Sequence, residues 1–390
     1  MSRPILWGSE LSPFALKLRA LLAWAHVPYD WLPAHGSRWR NYRALARIAR
    51  AKRTRTVLRH PETTALDEYP LLPYLVAGAC VYYDSSAIAR WLDARHPAPG
   101  GALLPADPVL GFVVRLIDEA FDEVGLYLVH HRRWVTSAAT NDAGVRLAHE
   151  FRRVLPPLAG GRFARSFAER QVRRLPYLFS VAPEGYAAPV RPALVPPSRP
   201  GFPPTHALLD EIWTRYVDAL AHVLATRSYL FGERFTLADA SVYGQLGMNL
   251  ADPGAAEGLR TRSPRLDAWL RAVAADAHAD AAGTLALHDD LTPLLRAIGA
   301  TFVPLMIQNE RAYLAARAAG ENLFNERAFD RGCALYDGTL LGHPFRAVVK
   351  TFQVQVWREL QGTFAALDAA GRARVTAWLD VPPDAFAGSG

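Results

Sequence analysis

The tripeptide Ser12-Pro13-Phe14 constrains this chain most: it follows a short apolar run, Pro4 to Trp7, and reads as a strand leading into a helix whose start is already built. Ser12 is a good helix cap, and Pro13 suits the first helical position, where a missing N–H removes no intrahelical bond. Phe14, Leu18, Leu21, Leu22 and Ala25 then recur at helical spacing, with Lys17 and Arg19 on the polar side. A hydroxyl at the positive end of a helix dipole can also stabilise an anion. On this motif alone, capping is a sufficient role for Ser12.

Two further motifs follow in order. Leu72-Pro73-Tyr74-Leu75 leads into a predicted hairpin: Tyr74 to Val76, a turn at Ala77-Gly78, and Cys80 to Tyr83. A proline there donates nothing to the ladder, so it belongs at a strand start, an edge or a bulge. Asp84-Ser85 then opens a helix carrying Ile88, Trp91 and Leu92 inward. Far downstream, Thr236 and Asp239 have the spacing of a capping box, after Tyr229-Leu230-Phe231-Gly232-Glu233-Arg234-Phe235.

Taken together, the ordered motifs resemble the glutathione S-transferase superfamily, over roughly residues 3 to 95 and 205 to 275. The Ser-Pro-Phe form is most similar to its serine-type classes, here in a bacterial-like member with a large insertion and a helical C-terminal extension. The resemblance implies an α/β thioredoxin-like N-terminal domain followed by an all-α glutathione S-transferase C-terminal domain with extra helices. The expected domains are 1–95 for glutathione binding, 106–275 for the helical substrate domain with an insertion at about 136–204, and 280–380 for a helical extension packed on it.

Composition agrees with this reading. The 390 residues suffice for two or more domains, each with an adequate core. Only two cysteines, Cys80 and Cys333, argue against a disulfide framework or a Cys-x-x-Cys redox pair. The start of the chain lacks the pattern of a secretory signal, and no unbroken apolar run is long enough for a membrane span, so the expected location is the cytoplasm. The net charge of +7 is concentrated between Ser37 and Pro61, where nine Arg and Lys residues from Arg38 to Arg59 accumulate with no acid among them. Such a patch can attract an anion, or it can be a solvated helix face. No helix-turn-helix, zinc-finger or RNA-recognition signature is present, so nucleic acid is not the expected partner.

Two regions depart from an ordinary transferase. The stretch Thr136 to Pro204, ending in a proline-rich run from Pro189, has the length of a functional or disordered loop. After residue 275, helices are predicted over 291–318, 322–335 and 344–367, and the segments around Leu341 to Arg346 and Lys350 to Trp357 are similar to C-terminal extensions of some bacterial members.

The resemblance implies a mechanism: glutathione attacks as its thiolate, stabilised by the Ser12 hydroxyl and the amides that open its helix. Ser12 is a donor, not the nucleophile, since no local His or Asp activates it and no Gly-x-Ser-x-Gly elbow exists. Ser9 is the alternative donor. A cis peptide before Pro73 would present the Leu72 backbone to the cysteinyl unit, with Pro70 as a rival proline. Asp84 would hold the γ-glutamyl amine, and Ser85 with the helix amides its carboxylate; simple capping is the alternative role for both. The segment Asp67-Glu68-Tyr69-Pro70-Leu71 lacks the family's usual glycine and basic residue, leaving an arginine of the basic stretch to replace the latter.

Leu11, Tyr127, His130, His131 and Trp134 are the candidate walls of the electrophile pocket. The acids at 118, 119, 122 and 123 raise a metal hypothesis, but ion pairing within the helix, such as Glu123 with Arg115, explains them better, so no metal is expected. Thr236 and Asp239 serve folding. The leading function is a glutathione transferase acting on a small hydrophobic electrophile, expected as a homodimer. The alternative is a non-catalytic binding or interaction protein of the same fold.

Overall fold

A short parallel pair begins the chain. In the computed structural model, which describes residues 3–59, 72–186 and 196–388, β1 (Ile5–Trp7) pairs with β2 (Asp30–Leu32) through α1 (Pro13–Trp24). After α2 (Arg38–Arg53) and β3 (Val57–Leu58) comes the predicted hairpin, β4 (Tyr74–Ala77) and β5 (Cys80–Tyr82), closed by a two-residue turn with Gly78 at a φ of 56°. The mixed sheet has the order β2-β1-β4-β5-β3, so β3 is an added edge, parallel to β5. α3 (Ser85–Arg95) follows directly. Trp7, Leu32, Ile48, Val57, Tyr74, Val76 and Val81 form the core between the sheet and α2.

The chain forms two compact units, each discontinuous in sequence. One comprises Met1–Leu104, Thr140–Arg170 and Arg227–Leu285; the other comprises Pro105–Ala139, Gln171–Thr226 and Ala286–Gly390. In the order of the chain the remaining helices are α4 (Pro108–Ala120), α5 (Leu126–His131), α6 (Ala143–Glu150), α7 (Gly160–Arg174), α8 (His206–Leu224), α9 (Leu237–Met248), α10 (Pro253–Arg262) and α11 (Pro264–Ala274). They are followed by α12 (Thr292–Ala318), α13 (Asn325–Arg331), the strands β6 (Leu335–Leu340) and β7 (His343–Val348), α14 (Thr351–Ala365) and α15 (Ala369–Leu379). Two π-helical turns, Phe121–Gly125 and Arg132–Thr136, flank α5.

The first unit is held by α9 against α1. Every residue of α9 is buried, which is the signature of a core helix. Its start is the predicted capping box: the Thr236 N–H donates to Asp239 Oδ2 at 2.9 Å, and Thr236 accepts from the N–H of Asp239 in return. Asp239 Oδ1 also accepts the Leu230 N–H at 2.9 Å. A Cβ on Gly244 would sit 2.7 Å from both the Lys17 Cβ and the Pro13 carbonyl oxygen, so only glycine permits this approach. Gly244→Ala should therefore lower stability by about 1 to 3 kcal/mol, measured as a urea midpoint shift at constant slope.

The inserted stretch contains two helices where an irregular loop is predicted. Phe163, Phe167 and Gln171 of α7 recur at intervals of four, as do Ala143, Leu147 and Phe151 around α6. Pro189 and Pro192 of its proline run lie outside the described residues. The C-terminal region departs from the helical prediction more sharply. The helix expected over 322–335 spans only Asn325–Arg331, stopped by Gly332 at a φ of 70°, and residues 343–348 are a strand rather than the start of a helix. Leu341 and Gly342 both adopt positive φ, 49° and 80°, the backbone of a tight hairpin turn. Pro344 lies in a two-stranded ladder, where both strands are edges.

The second unit is built around α12, which carries Pro304 within it and buries Leu294, Ile298, Phe302 and Met306. Residues 289–318 are long and apolar enough to cross a membrane by length and composition, but 61% of the apolar window is buried inside the protein, as in a core helix. Both cysteines are free.

Candidate functional site

The strand directions gather the N-terminal motifs at one end of the sheet. Trp7, the last residue of β1, pairs with Tyr74, the first of β4, and Leu75 pairs with Tyr82, the last of β5. Leu58, ending β3, pairs with the same Tyr82. Ser9 to Ser12, Leu72-Pro73, Asp84-Ser85 and Arg59 therefore all leave the sheet at this end, the carboxyl end of four of its five strands. A Cβ on Gly8 would lie 3.7 Å from Pro73, which shows how near the first and second motifs are. In open α/β sheets this end is where ligands bind.

Ser12 caps α1 from an extended backbone, its Oγ accepting the Ala15 N–H at 3.4 Å. It is half-buried, and among the described residues nothing accepts its hydroxyl proton. Ser9 is placed differently: it is 1% exposed and accepts the Leu11 N–H at 3.1 Å. Of the two serines, Ser12 is the less buried. The Leu72–Pro73 peptide is cis, and a second cis bond precedes Pro33 at the same sheet end. Pro70 and the segment 67–71 lie outside the described residues.

Asp84 caps α3 with its Oδ1 accepting the N–H groups of Ser86 at 3.0 Å and Ala87 at 3.3 Å. Its φ of 68° is unusual for a residue other than glycine, though Asp tolerates it better than most. Its other oxygen is paired with Arg59 Nε, and both side chains are 7% exposed. Burial alone would raise the Asp84 pKa, but Arg59, with Arg90 and Lys17 behind it, holds the carboxyl below its usual value. Ser85 is buried at the first position of α3. Lys17, assigned from periodicity to the polar face of α1, is in fact 1% exposed, with its amine 2.8 Å from Ser86 Oγ. Arg59 and Lys17 thus set two cations near the Asp84 carboxylate. Neither was legible as a site residue: Arg59 was one of many arginines, and Lys17 fitted an amphipathic pattern.

Of the candidate pocket walls, Leu11 belongs to the first unit and is buried. Tyr127, His131 and Trp134 are buried in the second. Tyr127 stacks on Phe179 and receives hydrogen bonds from Gln353, at 2.8 Å, and from Lys350. The Lys350 amine sits over the rings of Tyr127 and Tyr177, and burial pulls its pKa down to about 7. His131 contacts Ser180 Oγ at 3.0 Å through Nδ1 and Asp210 at 3.6 Å through Nε2; burial lowers its pKa despite that carboxylate. His130, driven by burial to a pKa of about 3, contacts the Leu126 carbonyl.

The intrahelical pairing expected between Arg115 and Glu123 is not what forms. Arg115 pairs with Glu359 at 3.3 Å, and Glu123 accepts from Gln353 at 2.8 Å, because α14 packs against α4 and supplies nearer partners. Asp118, Glu119 and Asp122 bring ligand oxygens within 4.8 Å of one another, and all three are buried and engaged by other groups of the protein.

A mixed sheet with helices on it, a cis-proline strand start and a capped first helix at one sheet end define a thioredoxin-like N-terminal domain, followed here by helical structure with extra helices at the C-terminus. Residues 6–100 match the family described as glutathione S-transferase, N-terminal domain, and residues 203–272 match glutathione S-transferase, C-terminal domain. The chain belongs to the glutathione S-transferase superfamily.

Similar solved structures include the apo form of glutathione S-transferase III, with 19% identity over 76% of this chain and 97% of that one and a TM-score of 0.37. The beta-etherase LigF from Sphingobium sp. strain SYK-6 has 19% identity over 70% and 96%, with a TM-score of 0.41. A glutathione S-transferase from Methylobacillus flagellatus KT, solved with GSH bound, has 19% identity over 69% and 93%, with a TM-score of 0.36. No curated protein matches the chain by sequence.

Proposed function

We propose that this protein is a glutathione-dependent transferase that holds the thiolate of glutathione at Ser12 and delivers it to a small hydrophobic electrophile. The observation that carries this reading is the half-buried Ser12 hydroxyl, free of any acceptor among the described residues, at the sheet end that also bears Leu72-Pro73 and the Arg59–Asp84 pair. Bound there, the thiol loses its proton to solvent. The sulfur lone pair then forms the new S–C bond as the leaving group departs with its electron pair. Ser12 stabilises the sulfur anion by donating a hydrogen bond, helped by the first amides of α1.

The rest of the tripeptide follows from the same sheet end. The Leu72 N–H and C=O pair with the cysteinyl backbone. Ser85, through its hydroxyl and its own N–H at the start of α3, receives the γ-glutamyl carboxylate. Asp84 serves its amine while remaining anchored by Arg59, which keeps the carboxyl ionised.

Titration with reduced glutathione by calorimetry, alongside turnover of an activated aryl halide, tests this reading. Ser12→Ala should keep glutathione binding within about tenfold while lowering kcat/KM by about 10²- to 10³-fold, the usual loss for one donor to a developing anion. Absence of heat and of any thermal shift at saturating glutathione would overturn it. That result would favour a binding protein using the exposed face of α2, where Trp39, 71% exposed, stands among arginines.

A further inference from the structure

The large hydrophobic side chains that face solvent are gathered rather than scattered. Among the described residues they are Trp39, Tyr42 and Leu45 on α2, Val145 on α6, and Leu158 ahead of α7, so every one lies on α2 or on the inserted segment. These two pieces of chain adjoin. Arg153 donates to the Gly36 carbonyl, the Tyr42 hydroxyl to the Val154 carbonyl at 3.1 Å, and Arg38 to the Leu155 carbonyl at 3.4 Å. Leu158, fully exposed, follows in the same loop. A single exposed apolar side chain needs no explanation, but a gathered set marks an interaction surface.

Two opposed faces run along α2. Asn41, Ala44, Ile48 and Ala51 are buried, the last three in the core beneath the sheet. On the other side Trp39, Tyr42, Ala46 and Ala49 recur at intervals of three and four, all exposed, with Leu45 at the edge of the stripe. The helix contains no acidic residue. Arg40 is tied to Asp30, and Arg47 to the Gly78 carbonyl. Arg43, Arg50 and Arg53 are exposed and have no hydrogen-bond or ion-pair partner among the described residues.

We propose that this face of α2 is a docking surface for an anionic lipid bilayer: Trp39, Leu45 and the ring of Tyr42 enter the boundary between headgroups and acyl chains, while Arg43, Arg50 and Arg53 bind the lipid phosphates. An apolar stripe bordered by cations is what an interfacial helix needs, since apolar burial and attraction to negative headgroups then act together. Trp39, 71% exposed, has the amphipathic ring that favours that boundary. A nucleic-acid strand would use the arginines and stack on Trp39, but it has no use for Leu45, Ala46 and Ala49, which continue the stripe in aliphatic groups. The surface works whether or not the thiol site is occupied.

Flotation of the full-length protein with vesicles tests this. Vesicles of equal parts phosphatidylcholine and phosphatidylglycerol should carry the protein, vesicles of phosphatidylcholine alone should not, and added salt should weaken the uptake. Arg43→Gln combined with Arg50→Gln should lower the affinity for the anionic vesicles by about 25-fold, about fivefold for each arginine. Trp39→Ser should lower it by about tenfold. All three side chains are exposed, so the variants should keep the wild-type melting temperature.

No uptake by anionic vesicles, equal uptake by neutral ones, or wild-type uptake in these variants would overturn the proposal. So would a single-stranded oligonucleotide bound through Trp39, or a dimer dissolved by Trp39→Ser, in protein that leaves the anionic vesicles alone; the face would then belong to nucleic acid or to a second copy of the chain. Loss of glutathione binding bears on the thiol site and leaves this result unchanged.

Discussion

Arg59→Ala is expected to lower stability at neutral pH by about 3 to 5 kcal/mol, because it strands the Asp84 carboxylate in a buried site without its cation. Both side chains are 7% exposed, so solvent offers little compensation. Burial acts to raise the Asp84 pKa, and Arg59 is the chief group that reverses it. In the wild type the folded-state pKa is depressed, so this stabilisation is present above the ordinary value of 3.8 and lost as pH falls through the lowered one. In Arg59→Ala the burial is opposed only by the more distant cations, so the variant should be least stable at neutral pH and recover relative to wild type in acid. Urea denaturation at several pH values reads both effects. The double variant with Asp84→Asn should regain part of the loss, since no unpaired charge is then left. Additive losses across the cycle would show that the pair does not act as a unit. On the functional reading, Arg59→Ala should also weaken glutathione binding, by disordering the residue that begins α3.

Asp239→Ala is the second large effect. One carboxylate serves the Leu230 N–H, the Thr236 N–H and the Thr236 hydroxyl, each at 2.7 to 2.9 Å, and all of these groups lie in the core. Removing it leaves several buried donors without an acceptor, at about 1 to 3 kcal/mol for each that finds no water. A total of about 3 kcal/mol or more is expected, read as a shift in the denaturant midpoint. Complete burial raises the Asp239 pKa to about 6 despite these bonds. Its pH-dependent contribution is therefore full below the ordinary 3.8 and falls as pH rises through about 6, opposite in sign to that of Asp84. A difference in stability between wild type and Asp239→Ala that does not change between pH 4 and pH 7 would contradict this account.

Local chemistry was legible in the sequence wherever the signal lies within a few residues. Ser12 and Pro13 start α1, Asp84 starts α3, Thr236 and Asp239 form the box that starts α9, and the Tyr74 to Tyr82 hairpin turns where its glycine lies. Each rests on hydrogen bonds or backbone preferences spanning at most a few positions. In the C-terminal hairpin β7 was misread as the start of a helix and β6 was given no element, because their turn depends on two consecutive left-handed residues, Leu341 and Gly342. Leucine gives no warning that it will adopt that conformation.

The sequence by itself determined the thioredoxin-like order of the N-terminal elements and the capped helix starts, since these need only near neighbours. Tertiary structure alone decided which charges face each other. Lys17 sits on a helix that reads as amphipathic, yet α9 covers its polar side, and Gly244 lets that helix come close enough to bury the lysine stem. Arg59 was indistinguishable from eight other basic residues until the parallel pairing of β3 with β5 set it beside Asp84. Arg153, 117 residues from Gly36, reached that carbonyl only when the insertion folded within the first unit. Electrostatic partners are chosen by distance in space, and in a chain that crosses between two units several times, sequence separation says little about that distance.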